Sequence, residues 1–526
     1  MNLSRATFEW WRDRPWLVAF LWIVPAALLP VVPIDETRYL SIAWEMRRSG
    51  DPFGLTLNGQ PYMDKSPLLF WFINVAWTLL GVSAAAARLV GIACAAATVA
   101  TVSTIARRLD HADPAAAGWI LLPFVVFGAF TPIAMFDVPL VYFVALGMLG
   151  VVCWVQGQRL HGGAVFLVAA SLGLLMKGPV YLVHLAGPLV LLRWWHGHPL
   201  ERPGQMATGI IACVLLACVP LGTWAVVSAL RLDGVSVVDT LAHQSVGRVA
   251  QSFAHKRNAL WYLPWVIPFF LPWTFLLRWR RLWANRRRLT ETCMGRLGVA
   301  ASVPAFAAFS LISGKQIHYL LPLLPGTALV LAALHAVEVN VLSYGRIRIV
   351  LAVTALAWAW PVANAIIGMY GNPTWYVAAL ASATILSLGA LAVRHLRGLI
   401  TESDKLRVAS FAGLVALISA VLLVGTHVKA HMDPQELADA VKDLQRHGVA
   451  VAAVDDEPGM VTYLARLPRP LPRIANTDAW ARSNPQGLVL VHANRGEPPA
   501  FVLTPITLAD GWEGLVPASN LHEVHP

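Results

Sequence analysis

The chain has 526 residues, of which 57% are hydrophobic and only 13% are charged, and its formal net charge is +11. A soluble domain carries about 25% charged residues, so this composition excludes an ordinary soluble protein. The positive charge does not indicate nucleic-acid binding, because the basic residues lie largely in short loops between apolar segments, as in the cytoplasmic loops of membrane proteins.

Fourteen apolar segments follow one another along the chain, several of them close to the ~20 residues that cross a bilayer core. They lie near 16–33, 66–82, 84–106, 115–132, 136–155, 162–176, 179–193, 207–230, 260–277, 296–313, 317–337, 347–368, 374–394 and 405–425. The arginine-rich loops mark the cytoplasmic side, and they leave one crossing too many between 67 and 106. We therefore expect 66–82 to be interfacial or re-entrant, with Trp71 and Trp77 in the headgroup region. The prediction is an all-α polytopic membrane protein with about thirteen transmembrane helices, N-terminus inside and C-terminus outside.

Two parts of the chain lie outside the apolar segments. The first is the outer loop 34–66, which is polar and has a helical pattern at Thr37–Arg48. The second is the tail, whose patterns alternate between helix and strand at Asp433–Gly448, Val449–Val454, Met460–Arg466 and Leu488–His492. We expect two domains, a transmembrane domain 1–425 that includes the loop 34–66 and a small α/β domain 426–526 on the outer face.

Charged residues collect on the face opposite the arginine-rich loops, where a charge beside hydrocarbon is a functional candidate. They are Asp35, Arg38, Asp64, Lys65, Asp137, Lys177 and Lys315, together with His243, Arg248 and His255 in the loop 231–259. The lysines have a second interpretation as interface anchors that reach the headgroups. For Asp35 the alternative is a local ion pair with Arg38, and both Asp35 and Asp137 precede possible helices that they can cap.

Two carboxylates that face several cations suit one kind of chemistry. Arg and Lys bind phosphate, so the set can hold a phosphorylated lipid that arrives by lateral diffusion. A carboxylate can deprotonate or orient an acceptor hydroxyl, and the cations can stabilise the phosphate leaving group. A lipid or sugar transporter is the competing class. Transporters place ionisable residues near the midplane and often show repeated halves, whereas these charges cluster at one face and no repeat is evident.

Several motifs resemble those of a known family of membrane enzymes. They are Ile34-Asp35-Glu36-Thr37-Arg38-Tyr39, Arg47-Arg48-Ser49-Gly50-Asp51, Leu57-Asn58-Gly59-Gln60-Pro61-Tyr62-Met63-Asp64-Lys65-Ser66-Pro67-Leu68, Ala87-Arg88-Leu89, Phe136-Asp137-Val138-Pro139, Lys177-Gly178-Pro179 and Lys315-Gln316-Ile317-His318-Tyr319-Leu320-Leu321-Pro322. In this order they resemble the bacterial aminoarabinose transferases, which are related to the protein O-mannosyltransferases and belong to the GT-C membrane glycosyltransferases. The resemblance covers roughly residues 15 to 330, and it implies a GT-C fold.

The resemblance implies transfer of a sugar from an undecaprenyl-phosphate carrier to lipid A at the periplasmic face of the bacterial inner membrane. Asp35 and Asp137 match the family's two aspartates and are the expected catalytic residues. Arg38 and Lys65 match positions that organise the lipid phosphate, and Tyr319 and Lys315 fall near the donor cavity. Lys177 and Arg248 complete the candidate donor-binding set. The expected partners are the polyprenyl-phosphate-linked sugar, lipid A or another envelope acceptor, and membrane lipids, with no nucleic acid.

A divalent metal ion is a further implication of the resemblance. The family commonly has Glu where this chain has Asp64, and that carboxylate can hold a metal together with a histidine, here His243 or His255. The shorter Asp64 side chain is a departure from the family pattern at this position.

Two questions stay open at the level of sequence. A phosphate acceptor on lipid A is already ionised and needs no base, so Asp35 would orient groups and balance charge, whereas a hydroxyl acceptor would make Asp35 the base. The acceptor can also be a polysaccharide or a protein, with the same kind of donor.

Overall fold

Long apolar helices form most of the chain in the computed structural model. The structure describes residues 11–109, 111–232, 236, 257–336, 341–359, 373–394, 401–454, 457–474, 476–493, 496–508 and 511–523. The helices of the membrane part are α1 (Pro15–Leu28), α2 (Asp35–Ser49), α3 (Leu68–Leu80), α4 (Ala84–Arg108), α5 (Ala115–Leu121), α6 (Val125–Phe130), α7 (Asp137–Val155), α8 (Arg159–Lys177), α9 (Val180–Val190), α10 (Leu192–His196), α11 (Pro203–Arg231), α12 (Cys293–Leu311), α13 (Leu324–Ala336), α14 (Ile347–Ala357), α15 (Pro373–Arg394) and α16 (Glu402–His431).

Seven helices among the described residues are long and apolar enough to cross a membrane. They are α4, α7, α8, α11, α12, the stretch Ile317–His335 that contains α13, and α16. The prediction of an all-α, multi-pass membrane protein is therefore confirmed. The count of thirteen spans stays a prediction, since part of the predicted segment 347–368 lies outside the described residues.

Two of the predicted segments are broken around prolines. Residues 260–277 break into short pieces, including Val266–Phe269 and Trp273–Leu276. Pro264, Pro268 and Pro272 recur at every fourth residue there, and each removes a backbone donor and crowds the preceding turn. In 115–132, α5 and α6 are separated at Leu122–Phe124, around Pro123. There the amide of Val125 donates to the carbonyl oxygen of Leu271 rather than continuing a helix.

The segment 66–82 forms α3, whose 13 residues span about 20 Å, short of the ~30 Å hydrocarbon core. The expectation that Trp77 lies in the headgroup region is wrong, because its indole is 1% exposed and stacks on Tyr463 with ring centroids 5.4 Å apart. Trp71 donates through Nε1 to the carbonyl oxygen of Pro52 at 2.6 Å. Both rings therefore hold α3 against other parts of the protein.

The loop 34–66 contains α2, as its pattern predicts, followed by a hairpin of β1 (Thr56–Leu57) and β2 (Gln60–Pro61). α2 begins with two acids and ends with two arginines, each favourable to the helix dipole. Gly50 ends it with φ +71°, a left-handed conformation that costs glycine little. The buried carboxylate of Glu45 then fixes the hairpin, since it accepts from Thr56 Oγ1 and from the amides of Asn58 and Gly59.

The tail forms a small α/β domain, as predicted. Its elements are α17 (Gln435–Arg446), β3 (Val451–Val454), β4 (Arg473–Ile474), α18 (Thr477–Ser483), β5 (Leu488–Ala493), β6 (Leu503–Leu508) and β7 (Gly511–Pro517). The five strands form one mixed sheet in the order β4-β3-β5-β7-β6. The last membrane helix, α16, continues to His431, past the predicted domain boundary at 425.

The helix expected at Met460–Arg466 is absent, and turns occupy that stretch. Its backbone takes partners elsewhere: the amide of Met460 bonds to the Glu457 carboxylate, and the amide of Tyr463 bonds to Ser41 Oγ of α2. These contacts join the tail domain to the outer loop, and Trp44 Nε1 adds a bond to the carbonyl oxygen of Leu467 at 2.9 Å. The tail domain therefore lies at the same end of the helices as α2.

Candidate active site at the starts of α2 and α7

The two predicted catalytic aspartates each begin a helix. Asp35 is the first residue of α2, and Asp137 is the first residue of α7. An acid in the first turn is stabilised by the positive end of the helix dipole. The N-cap residues of the two helices are Ile34 and Phe136, so the aspartates are not the N-caps that the sequence allowed them to be.

Asp137 forms a buried ion pair with Lys177. The distance from Lys177 Nζ to Asp137 Oδ1 is 2.6 Å, and the two side chains are only 7% and 3% exposed. Lys177 is the last residue of α8, which packs along α7. Gly178 then turns the chain with φ +65° and ψ −153°, a conformation open essentially only to glycine. The motif Lys-Gly-Pro thus ends α8 where its lysine meets Asp137.

Aromatic and histidine side chains surround this pair. The Lys177 ammonium lies 4.7 Å from the ring centroid of Tyr319, within the range of a cation–π contact. His318 Nε2 lies 4.0 Å from Asp137 Oδ2. Tyr319 and His318 come from the short 3₁₀ helix Ile317–Leu323. Three separate elements therefore meet at Asp137.

Asp35 is more open than Asp137. Its side chain is 39% exposed and pairs with Arg38 at 3.4 Å, one turn along α2. Arg38 Nε also donates to the carbonyl oxygen of Pro458, at 3.3 Å, in the tail domain. Tyr39 Oη donates to Asp35 Oδ1 at 3.5 Å. Burial and the negative charge of Asp35 raise the pKa of Tyr39 well above its usual value, so Tyr39 keeps its proton and remains a donor to Asp35.

The two aspartates belong to one cluster. The ring of Tyr39 packs edge-on against Phe136, with centroids 4.9 Å apart, and Phe136 directly precedes Asp137. Asp35 and Asp137 both act electrostatically on Tyr39. The charges of four residues act electrostatically on His318, namely those of Asp35, Lys65, Asp137 and Lys177. We call this group, Asp35, Lys65, Asp137, Lys177 and His318, the acid–base cluster.

A second buried ion pair lies behind the acid–base cluster. Arg88 Nη2 is 2.8 Å from Glu36 Oε2, and both side chains are about 1% exposed or less. Glu36 also accepts from the amides of Val32 and Ala134, each at 2.9 Å. Glu36 is the neighbour of Asp35, and Ala134 lies three residues before Asp137. The pair therefore ties the starts of α2 and α7 together.

The remaining predicted residues are distributed as follows. Lys65 is half-buried and belongs to the acid–base cluster, while the adjacent Asp64 is exposed. Lys315 is 2% exposed, and its ammonium donates to the carbonyl oxygen of Ile312 and lies 5.9 Å from the ring centroid of Tyr262. Burial lowers the pKa of Lys315. Arg248 lies outside the described residues.

The predicted metal site is untested. His243 and His255 both lie outside the described residues, which leaves Asp64 alone. Within the part of the chain that the structure describes, no three His, Cys, Asp or Glu side chains are placed to hold a metal ion together. No step of the chemistry is therefore assigned to a metal.

Sequence reasoning did not assign roles to Glu36, Tyr39, Arg88 or His318, although all four stand in the quoted motifs. Arg88 carried a usable signal, since it is a charge inside an otherwise apolar helix. The other three lie next to assigned residues, and only their contacts distinguish them from ordinary neighbours.

The chain is similar in sequence to known proteins. The family described as dolichyl-phosphate-mannose-protein mannosyltransferase matches residues 64–224. The chain is 28% identical over 315 residues to the undecaprenyl phosphate-alpha-4-amino-4-deoxy-L-arabinose arabinosyl transferase 2 of Pseudomonas fluorescens (strain Pf0-1), over 56% of this chain and 54% of that protein. It is 29% identical over 371 residues to the undecaprenyl phosphate-alpha-4-amino-4-deoxy-L-arabinose arabinosyl transferase of Pseudomonas aeruginosa (strain UCBPP-PA14). This match covers 66% of this chain and 65% of that protein. The matches thus span about half to two thirds of these relatives' length.

The fold is also similar to solved structures over nearly its whole length. ArnT from Cupriavidus metallidurans in the apo state gives a TM-score of 0.72 at 17% identity, covering 98% of both chains. The same protein bound to undecaprenyl phosphate gives 0.69 at 19% identity, covering 95% of this chain and 97% of that one. At this identity the likeness establishes the fold. The predicted resemblance to the aminoarabinose transferases and their GT-C fold is therefore confirmed.

Proposed function

We propose that this chain, which shares its fold with ArnT and its sequence motifs with the aminoarabinose transferases, is a membrane glycosyltransferase. It transfers 4-amino-4-deoxy-L-arabinose from undecaprenyl phosphate to lipid A, at the periplasmic face of the bacterial inner membrane. The observation that carries the proposal is the acid–base cluster, in which Asp137 pairs directly with Lys177 and the charges of Asp35 and Lys65 act on the same histidine, His318.

The donor phosphate is held by the cations of the cluster. Arg38 pairs with Asp35 on the open side, Lys65 acts electrostatically on Asp137, and Lys177 lies deeper, in direct contact with Asp137. When the bond between the sugar's anomeric carbon and the phosphate oxygen breaks, the phosphate gains negative charge. Fixed cations stabilise that charge in the transition state. Asp137 holds Lys177 in place, and it also keeps the buried ammonium from being an unpaired charge.

The acceptor approaches on the side of Asp35, because its carboxylate is the more exposed of the two. Arg38 and Tyr39 fix its orientation. Asp35 takes the proton if the acceptor is a hydroxyl. If the acceptor is an ionised phosphate of lipid A, Asp35 orients it and balances the charge of the cations. His318 lies beside Asp137, with its Nε2 atom 4.0 Å from the Asp137 carboxylate.

The sidedness follows from the positions of the charges. The acid–base cluster and the tail domain lie at one end of the helices, and the arginine-rich ends of α4 and α15 lie at the other. The positive-inside rule assigns the arginine-rich end to the cytoplasm, which puts the cluster at the periplasmic face.

The experiment that tests this function uses the purified full chain in liposomes with undecaprenyl phosphate-linked aminoarabinose and lipid A. Mass spectrometry follows the mass of lipid A for the wild type, Asp35→Asn and Asp137→Asn. We expect a mass gain with the wild type and a lower rate with Asp35→Asn, and the loss should reach about 10²–10⁴-fold where Asp35 takes the proton of a hydroxyl acceptor. Asp443→Asn is the matched control, because Asp443 is a 63% exposed carboxylate in α17.

Two results would count against the proposal, the first against lipid A as the acceptor and the second against the transferase reaction itself. If folded wild-type protein leaves lipid A unchanged but modifies a polysaccharide or a protein from the same donor, the acceptor is wrong and the reaction class stands. If no acceptor is modified and the protein moves the lipid-linked sugar across the liposome membrane, it is a transporter.

A further inference from the structure

A groove opens between α14 and α15, at a distance from the acid–base cluster. It encloses a cavity of about 830 Å³, within the range of small-molecule binding sites. Its walls are mainly short or apolar side chains of the two helices, among them Leu351, Ala355, Ala383, Leu386 and Ala390. We call it the α14–α15 groove.

One of the residues that line the groove is Trp358, whose ring is held in place by a hydrogen bond. Trp358 is 6% exposed, and its Nε1 donates to Ser419 Oγ of α16 at 2.9 Å. Ser419 Oγ is in turn 2.5 Å from Ser382 Oγ of α15. Trp358 is therefore anchored directly to α16 and, through Ser419, indirectly to α15.

Two arginines stand at the open end. Arg348 is in the first turn of α14 and Arg394 is the last residue of α15, and both line the groove. The two guanidinium groups are exposed. The acids that begin α16 do not neutralise them, since Glu402 pairs with Lys405 and Asp404 with Arg407. The mouth of the groove therefore carries positive charge.

The dimensions match one leaflet of a bilayer. From Arg348 to Trp358 is ten residues, which is about 15 Å along a helix and half of the ~30 Å hydrocarbon core. A molecule that fills the groove thus has a charged end at the membrane surface and an apolar part that stops near the midplane.

We propose that the α14–α15 groove binds an anionic phospholipid, with its phosphate on Arg348 and Arg394 and one acyl chain in the cavity above Trp358. The chemistry is that of basic pockets between transmembrane helices, which hold anionic headgroups at the surface where basic residues collect. An arginine that only anchors a helix end needs no cavity beside it, whereas here both arginines share one.

The occupant is a membrane phospholipid rather than the polyprenyl donor. The groove opens at the arginine-bearing end of α15, and the acid–base cluster lies at the other end of the helices. A donor phosphate that reaches Asp35 and Lys65 is therefore far from Arg348. The lipid site stands on its own observations and does not depend on the proposed function.

The test counts lipids bound to the purified full chain by native mass spectrometry after titration with phosphatidylglycerol, and separately with phosphatidylethanolamine. The variants are R348Q/R394Q, which removes the charge, and Ala383→Phe, which fills the cavity. R280Q/R281Q is the matched control, because these exposed arginines lie in the short helix Trp279–Ala284 and carry the same charge. Thermal unfolding confirms that each variant is folded.

We expect one phosphatidylglycerol that binds at least about tenfold more weakly to R348Q/R394Q, and also more weakly to Ala383→Phe, with R280Q/R281Q like the wild type. The proposal fails if phosphatidylethanolamine binds as tightly as phosphatidylglycerol, or if R280Q/R281Q loses as much binding as R348Q/R394Q. It also fails if Ala383→Phe binds like the wild type, or if undecaprenyl phosphate displaces the lipid from this site.

Discussion

Arg88 and Glu36 form an ion pair that is almost completely excluded from solvent and has every charged atom bonded. Arg88 donates through Nε and Nη2 to the Glu36 carboxylate at 2.8 Å. Its remaining hydrogens go to the carbonyl oxygens of Ala26, Leu29 and Pro30 at the end of α1. The pair thus joins α1, α2, α4 and the chain before α7 at a single point beneath the acid–base cluster.

The first prediction concerns this pair. Glu36→Gln leaves the Arg88 charge buried without a partner, and such a change costs about 3–5 kcal/mol in the free energy of unfolding. Chemical denaturation of the purified protein measures the loss. Arg446→Gln is the control, since the Arg446–Asp443 pair is exposed and its loss should cost no more than about 1 kcal/mol. Equal stability of Glu36→Gln and the wild type would show that the pair is dispensable.

The second prediction distinguishes the attraction between Lys177 and Asp137 from the free-energy cost of burying an unpaired charge. Lys177→Met leaves Asp137 charged and buried, so it should destabilise the protein more than the double variant Lys177→Met/Asp137→Asn, which removes both charges. A double-mutant cycle should give a coupling of about 0.5–3 kcal/mol in the free energy of unfolding. Additive losses from the two single variants would contradict a direct pair.

The third prediction concerns Tyr39, which orients Asp35. Tyr39→Phe keeps the ring on Phe136 but removes the hydrogen bond to the carboxylate, so the transfer rate should fall about tenfold while stability changes little. The kcat of the lipid A reaction is the measurement. Tyr142→Phe, in α7, serves as the control and should keep the wild-type rate. A normal rate for Tyr39→Phe would leave Arg38 as the residue that orients Asp35.

The fourth prediction concerns the pH dependence of the tail domain. Burial, and then the neighbouring charge of Glu457, raise the pKa of Glu513 well above its usual value. Because the pKa of Glu513 is higher in the folded than in the unfolded protein, its neutral carboxyl contributes to the free energy of unfolding. This contribution is fully present below the pKa of the unfolded state, about 4.3. That stability is lost as the pH rises through the folded pKa. Glu513→Gln cannot ionise, so it should flatten this loss and make the domain more stable at high pH.

The test is thermal unfolding of the full chain from pH 4 upward, in steps of about one pH unit. It shows whether stability falls with rising pH, as expected. His492 Nδ1 lies 3.1 Å from Glu513 Oε2, so His492→Gln is measured alongside. Glu497→Gln is the control, because Glu497 is exposed. A pH profile of Glu513→Gln that follows the wild type would show that Glu513 is ionised throughout.

Some structural elements could be predicted from the sequence because they depend on residues that are neighbours along the chain. The helix α2 follows from its local pattern, and the structure places it at Asp35–Ser49 against a predicted Thr37–Arg48. The strand Leu488–His492 was also found, because a run of branched residues favours a buried strand. The turns at Met460–Arg466 were missed, since their backbone bonds go to Glu457 and Ser41 instead of to the next helical turn.

The amino-acid sequence by itself determined the class of the protein and the apolar helices, and it predicted one common face for the charges of the candidate site. Hydrophobic length and the placement of arginine act locally, so they can be read along the chain. Only the tertiary structure decided which charges meet. Asp137 has no base within helical reach on α7, and its partner Lys177 lies 40 residues further on. Glu36 and Arg88 are 52 residues apart. Pairs at such separations form because packed helices bring them together, and low-dielectric surroundings then make each unpaired charge costly.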